Sequence, residues 1–275
     1  MSIIKIPEQL INGEVKKDAY IIDYEHNIIS SRQKVSFDYF TISFLIEGAK
    51  EIYSSNESEE ILASNFLIVK KGNCLMTETL SKSSNYKSKL ITFSNNFLLQ
   101  FISKYNVNID YEDNEQTKLY RVLPFDNYIK LYIKSLNILP SDRMQETKIE
   151  ELLIYCYETY GNQFFSFLKE DRYSSSLRKV IEKQITKGLS VDELAFLCSM
   201  SLSTFKRAFY QEYRSTPSKW IKKRRLELSK NDLKDKGLRA SDIYLKYGFG
   251  SLSRYISAFK KEYGVTPKQF QQHSK

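Results

Sequence analysis

Two stretches near the C-terminus are copies of one another. SLSTFKRAFYQEYRSTPSKW (Ser201 to Trp220) aligns without gaps on SLSRYISAFKKEYGVTPKQF (Ser251 to Phe270) at an offset of 50, with nine of the twenty positions identical. Phe205 answers to Tyr255 and Trp220 to Phe270, aromatic for aromatic. Upstream, Asp192 pairs with Asp242 at the same offset. A chain that carries one unit twice folds that stretch as a tandem of like modules. Two copies are too few for a solenoid, which needs roughly three or more repeats to bury a continuous core.

The punctuation of each copy predicts its elements. Ser190, with Glu193 three residues on, is a capping box opening the helix VDELAFL, whose inner face carries Leu194 and Leu197. The polar stretch CSMS ends it. Ser201 caps a second helix with Phe205, Phe209 and Tyr213 at helical spacing, and Pro217 sits at the permitted first position of a third. In the second copy Ser241 is expected to cap DIYLKY, Gly248 to serve the turn, and Ser251 to cap a helix bearing Tyr255, Phe259 and Tyr263. Helix, short turn, helix, with an apolar stripe opposite a basic face, describes a helix-turn-helix.

Charge separates the same region from the rest. Residues 172–275 hold 23 Lys+Arg against 9 Asp+Glu, whereas residues 1–171 hold 19 against 24. The basic part favours a polyanion such as nucleic acid. Cys74, Cys156 and Cys198 stand far apart without paired spacing, which fits a reducing cytosol and offers no disulfide framework or zinc site. No apolar run approaches the ~20 residues that span a bilayer, and the N-terminus lacks a signal-peptide pattern. A cytoplasmic protein without membrane contact is expected.

From about Ser176 to Gln271 the sequence resembles the AraC/XylS family of bacterial transcription regulators. The resemblance is carried by SVDELAFLCSMSLSTFKRAF, the linker WIKKRRLELSK, and DIYLKYGFGSLSRYISAFKKEYGVTPKQF with its Gly-Phe turn and closing Gly-x-Thr-Pro. Three positions depart from the family pattern: Tyr244 and Ser229 stand where Ala is usual, and Ser257 where the second recognition helix often carries Arg. The resemblance implies seven helices, with the third and sixth entering successive major-groove segments of promoter DNA. It also implies RNA polymerase as a partner and an N-terminal cupin-like regulatory domain. FLIVKKGN in that region looks similar to subgroups that control type III secretion or virulence genes.

Subtracting the core stripe gives the residues that should meet DNA. With Leu202, Phe205 and Phe209 inward, Ser203, Thr204, Lys206, Arg207 and Tyr210 face outward on the first recognition helix. Arg207 is the best base reader, since a guanidinium matches guanine O6 and N7 in a bidentate fork. Ser253, Arg254, Ser257, Lys260 and Lys261 face outward on the second, where two serines predict more permissive readout. Lys222 to Arg225 point all round the linker helix, so only some can reach one phosphate backbone. Lys223 and Arg224 are the candidates, with some of the run pairing carboxylates such as Glu227. Arg207→Ala should therefore relax base preference at one position, and Lys223→Ala should weaken all sequences alike.

The acidic part reads as short β-strands up to about residue 106: YFTISFLIEG, AKEIYSS, EEILASNFLIVKKG and SKLITFS, with turns at Gly48 and Gly72. A β-sandwich or jelly-roll-like barrel is expected. From about Pro124 to residue 170 the period turns helical: Phe125, Tyr128, Ile129, Tyr132, Ile133 and Leu136 form one stripe, and Ile149, Leu152, Leu153 and Cys156 another. One stripe must cover the β-domain; a second either pairs with another copy, which gives a homodimer, or packs as an internal helix pair. The expected fold is thus α+β in two domains, 1–171 regulatory and dimerising, 172–275 all-α and DNA-binding.

His26 and His273 fall in different halves and are expected at the surface, so neither a cofactor nor a metal site nor an enzyme is indicated. The N-terminal domain could take a small molecule, a fatty acid or a protein as effector; no residue identifies which. An activator is the leading expectation. A repressor or architectural DNA binder, and an adaptor whose basic half binds acidic proteins, are the alternatives.

Overall fold

The computed structural model describes residues 3–11, 14–28, 32–107, 118–138, 141–168, 176–235 and 237–273. The chain divides into two compact units, 1–54 with 58–173, and 174–275 with 55–57. The expected boundary at 171/172 lies outside the described residues.

The first unit contains ten strands among its described residues: β1 (Ile3–Ile6), β2 (Ala19–His26), β3 (Gln33–Phe37), β4 (Phe40–Glu47), β5 (Ala49–Tyr53), β6 (Ser58–Leu62), β7 (Asn65–Val69), β8 (Gly72–Thr79), β9 (Tyr86–Phe93) and β10 (Tyr120–Pro124). They form two five-stranded sheets, ordered β1-β3-β8-β5-β6 and β10-β7-β4-β9-β2. Only the β1–β3 pair is parallel. Four α-helices accompany them among the described residues: α1 (Asn95–Tyr105), α2 (Asn127–Ser135), α3 (Asp142–Tyr160) and α4 (Asn162–Leu168).

Side-chain alternation explains the layering. Phe40, Ile42 and Phe44 of β4 join Ile91 and Phe93 of β9 in a core shared with the four helices, while Leu45 and Leu90 turn to the other face and pack with Val35, Ile52 and Met76 of the opposite sheet. The second sheet is therefore buried on both sides, and β4 is buried on both faces over Phe40 to Leu45, although Thr41 and Ser43 make one of them partly polar. Ile129, Tyr132, Ile133 and Leu136, together with Ile149, Leu152, Leu153 and Cys156, all enter the helix-side core, so both expected stripes are buried within the chain and neither is left to pair with a second copy.

The two-layer β-fold with helices matches the expectation, with corrections of detail. EEILASNFLIVKKG is two strands, broken at Ser64, whose φ is +67°. Gly72 opens β8. The stretch up to residue 106 is not all β: α1 occupies its end, capped by Ser94, whose hydroxyl accepts from Phe97 N at 3.1 Å. His26 is not a free surface residue, because its Nε2 lies 2.8 Å from Glu78 Oε2 and its ring stacks on Tyr86 at 4.9 Å. The side chain of His273 lies outside the described residues.

All three cysteines are free and buried, and burial pushes the Cys198 thiol up to about 12 and those of Cys74 and Cys156 higher still. Thiolate is the reactive form. A disulfide reagent at neutral pH should therefore leave the native chain unlabelled and react with it only in denaturant; rapid native labelling would contradict these burials.

Candidate nucleic-acid interface

The second unit has seven α-helices among its described residues: α5 (Leu177–Gln184), α6 (Val191–Leu197), α7 (Leu202–Tyr213), α8 (Pro217–Asp235), α9 (Ala240–Ile243), α10 (Leu252–Tyr263) and α11 (Pro267–His273). The third and sixth, α7 and α10, each follow a short helix and a tight turn. The expected caps at Ser190, Ser201 and Ser251 are in place, each hydroxyl accepting from the backbone N–H three residues on. Ser241 is not a cap. It lies within α9, whose N-cap is Arg239.

The copies differ in length by one residue at the turn. Glu193 accepts from Ser190 N at 2.7 Å, and the matching bond in the second copy is Asp242 accepting from Arg239 N at 3.0 Å. The residue equivalent to Asp242 is therefore Glu193, not Asp192, because only the third helical position reaches back to the cap. The left-handed turn residues are Ser199 (φ +54°) and Gly248 (φ +72°), and each is followed by a residue whose N–H reaches back into the preceding helix: Met200 to Ala195 O and Phe249 to Tyr244 O, both at 3.0 Å. The offset is 49 before the turn and 50 after it, so Gly250 is the additional residue.

Each copy has its own aromatic core. Phe209 packs on Phe205, Tyr213 and Trp220 at 5.7, 4.5 and 5.8 Å between ring centroids. Phe259 packs on Tyr255, Tyr263 and Phe270 at 5.9, 4.7 and 5.7 Å. Tyr244 lies half-buried against the second core. Ser229 is buried within α8; it accepts from Tyr255 Oη at 2.9 Å and donates to Leu226 O at 2.7 Å. The hydroxyl at this position thus satisfies a buried phenol that an alanine would leave without a partner. Ser229→Ala should cost about 1–3 kcal/mol, and adding Tyr255→Phe should recover most of it. Denaturant titration of the single and double variants measures this; strict additivity would rule out the coupling.

The predicted DNA-facing side chains are exposed. On α7, Ser203, Thr204, Lys206, Arg207 and Tyr210 all reach solvent. The Ser203 and Thr204 hydroxyls gather at the Ser201 cap, each 2.9 Å from its oxygen. Leu202 does not face inward: it is 38% exposed, because the first residue of the helix projects past the edge of the core. On α10, Ser253, Arg254, Ser257, Lys260 and Lys261 are exposed.

The two recognition helices present different relief. Ser253, Arg254, Ser257 and Lys261 line a groove of about 670 Å³, opposite Lys222 of α8 and Val191 of α6. Lys223 and Arg224 lie on another flank of α8. They line a separate groove of about 370 Å³ with Arg178, Tyr213 and Trp220, and pair with Glu262 at 3.9 Å and Glu227 at 3.0 Å. Arg225 turns inward and is buried. Of the cationic run, only Lys222 is brought together with the outward face of α10 as an exposed cation, a placement that four consecutive charges in a sequence do not disclose.

The Helix-turn-helix domain family matches residues 194–273, and the ExsA N-terminal regulatory domain family matches residues 40–167. The chain thus carries a helix-turn-helix domain and an ExsA-type N-terminal regulatory domain on separate stretches. It is similar to the thermoregulatory protein LcrF of Yersinia pestis, 30% identical over 129 residues that make up 46% of this chain and 48% of LcrF. It is also similar to the HTH-type transcriptional regulator ExsA of Pseudomonas aeruginosa, at 28% over 128 residues and 46% of each chain. The chain thus spans about half the length of the curated relatives it matches. Among solved structures, apo ToxT from Vibrio cholerae aligns with 95% of this chain and 100% of its own at 14% identity and a TM-score of 0.46.

Proposed function

We propose that the protein is a sequence-specific DNA-binding transcription regulator, and an activator, that grips promoter DNA with α7 and α10. The observation that carries this reading is the pair of helix-turn-helix units on one linker helix, each with its recognition helix exposed and basic. VirF of Yersinia enterocolitica, 30% identical over 129 residues, is named a virulence regulon transcriptional activator, which favours activation over repression. In this reading residues 172–275 bind DNA and residues 1–171 control binding in the cytoplasm, with RNA polymerase as the downstream partner. An effector, whether small molecule, fatty acid or protein, would act on residues 1–171. No catalytic role is assigned to any residue.

The relief of the interface makes the readout unequal. Arg207 and Lys206 project from α7 and supply most base contacts, with exposed Leu202 placed to meet a thymine methyl. The recessed face of α10 seats the sugar-phosphate backbone against Lys222, Arg254 and Lys261. DNA selected by the chain from a random pool, then mutated base by base, tests this. Arg207→Ala should lose roughly tenfold in discrimination at one base pair, while Lys222→Ala should weaken all variants about equally. Lys223→Ala should do the same more weakly. Equal losses everywhere for Arg207→Ala would reject the assignment of base reading to α7.

Homodimerisation through the 124–170 helices belongs to the same proposal. Leu131 on α2 is 67% exposed and Met144 on α3 is 45% exposed, apolar surface left over after the β-sandwich is covered. Sedimentation of the chain as a monomer at high concentration would reject it.

A further inference from the structure

The two helix-turn-helix units meet backbone to backbone. Gly188, before α6, has φ +68°, and Gly248, in the second turn, has φ +72°. A Cβ on Gly248 would stand 2.8 Å from Gly188 Cα, and one on Gly188 would stand 3.3 Å from Gly248 Cα. Gly248 has no room for a side chain, one on Gly188 would need its neighbour to shift slightly, and neither backbone conformation favours one.

Arg225 reaches this point from α8. Its Nε donates to Ile185 O and its Nη2 to Leu189 O, both at 2.8 Å, so the guanidinium holds the two carbonyls that flank Gly188. Its Nη1 lies 2.8 Å from where a Gly248 Cβ would be. Arg225 is 9% exposed, and burial lowers its pKa against the opposing pull of Glu193. An apolar side chain would fill this space with less loss of hydration. A rigid planar fork contributes what an apolar residue cannot, which is direction.

α8 is tied again about two turns further on. Asp232 accepts from Tyr247 Oη at 2.9 Å, and Gln271 Nε2 donates to Leu233 O at 3.0 Å and Leu238 O at 2.8 Å. Both ties sit on one uninterrupted helix, α8, of 19 residues. The first unit is fixed to it by Arg225 and the second by Asp232 and Gln271.

We infer that Arg225 is a positioning residue for DNA recognition: seated against Gly188 and Gly248, it fixes the separation and phase of α7 and α10, so that the protein accepts a single spacing between its two DNA contacts. This rests on the DNA-binding reading above. Arg225 itself is buried and touches no base or phosphate in this scheme. Its loss should change tolerance to spacing while leaving base preference within each contact intact.

The test uses DNA that the full-length chain selects from a random pool, and derivatives with one or two base pairs inserted between the two footprinted segments. The unmodified chain should bind each insertion roughly tenfold or more weakly. Folded Arg225→Gln should show a penalty of about threefold or less, with its base preferences in each segment unchanged. Gly248→Ala forces the units apart from the other side and should give the same loss of discrimination with the guanidinium present. Arg225→Lys, which keeps the charge but lacks the planar fork that spans both carbonyls, should fall between.

If Arg225→Gln does not fold, Gly248→Ala and Arg225→Lys carry the comparison. An undiminished spacing penalty in the folded variants, or failure of all three to fold, overturns the inference. A chain that selects no sequence at all overturns the DNA-binding reading itself.

Discussion

Raising the salt from about 50 mM to about 200 mM should weaken binding to selected DNA on the order of a thousandfold. Six exposed cations carry this expectation: Lys206 and Arg207 on α7, Lys222 on α8, and Arg254, Lys260 and Lys261 on α10. Each neutralised phosphate releases condensed counterions and contributes roughly −0.9 to the slope of log K against log salt, so six give about −5. Lys223 and Arg224 are not counted, because each already has a carboxylate partner on its own flank. Lys222→Ala should make the slope shallower by about one. Fluorescence anisotropy across a salt series measures both quantities, and a slope shallower than about −2 would mean that this face is not the one that meets DNA.

Phe259→Ala should cost about 3–5 kcal/mol, because an aromatic ring leaves a cavity that its neighbours cannot fill. Phe259 is fully buried, and Tyr255, Tyr263 and Phe270 all pack on it. Whole domains hold only about 5–15 kcal/mol, so a module of this size loses much of its margin. The second unit should become sensitive to trypsin at Arg254, Lys260 and Lys261, and specific DNA binding should disappear. The first unit keeps its own core of Phe205, Phe209 and Trp220 and should resist longer. A denaturation midpoint close to that of the unmodified chain would show that α10 is held by something other than this cluster.

How much of this was legible in the sequence varied with the physics involved. The recognition helices were readable because Phe205 and Phe209, or Tyr255 and Phe259, recur at helical spacing and leave the outward residues by subtraction. Leu202 escaped because a helix-terminal residue can project past the core whatever its hydropathy. The strands β4, β5 and β9 were visible as apolar or alternating runs. β2 and β8 were not, since AYIIDYEH and GNCLMTET mix charged or polar residues into their half-exposed ends. α1 lay inside a stretch read as β, although Ser94 followed by Phe97, Leu98 and Phe101 is a cap with a helical stripe. Arg225 was indistinguishable from Lys222, Lys223 and Arg224, because its role depends on carbonyls 40 and 36 residues away along the chain.

The extra residue in the second turn has a consequence for how this tandem can change. The two copies are no longer interchangeable parts. Transplanting the first turn into the place of the second would put Ser199 where Gly248 now meets Gly188, and its Cβ would fall within 2.8 Å of the Gly188 Cα and of the Arg225 guanidinium. The reverse exchange would lengthen the first turn and shift α7 against its own core. Exchange between the two like stretches would therefore yield chains with a complete set of helices and a broken seam. The order of the copies is held in place by a glycine.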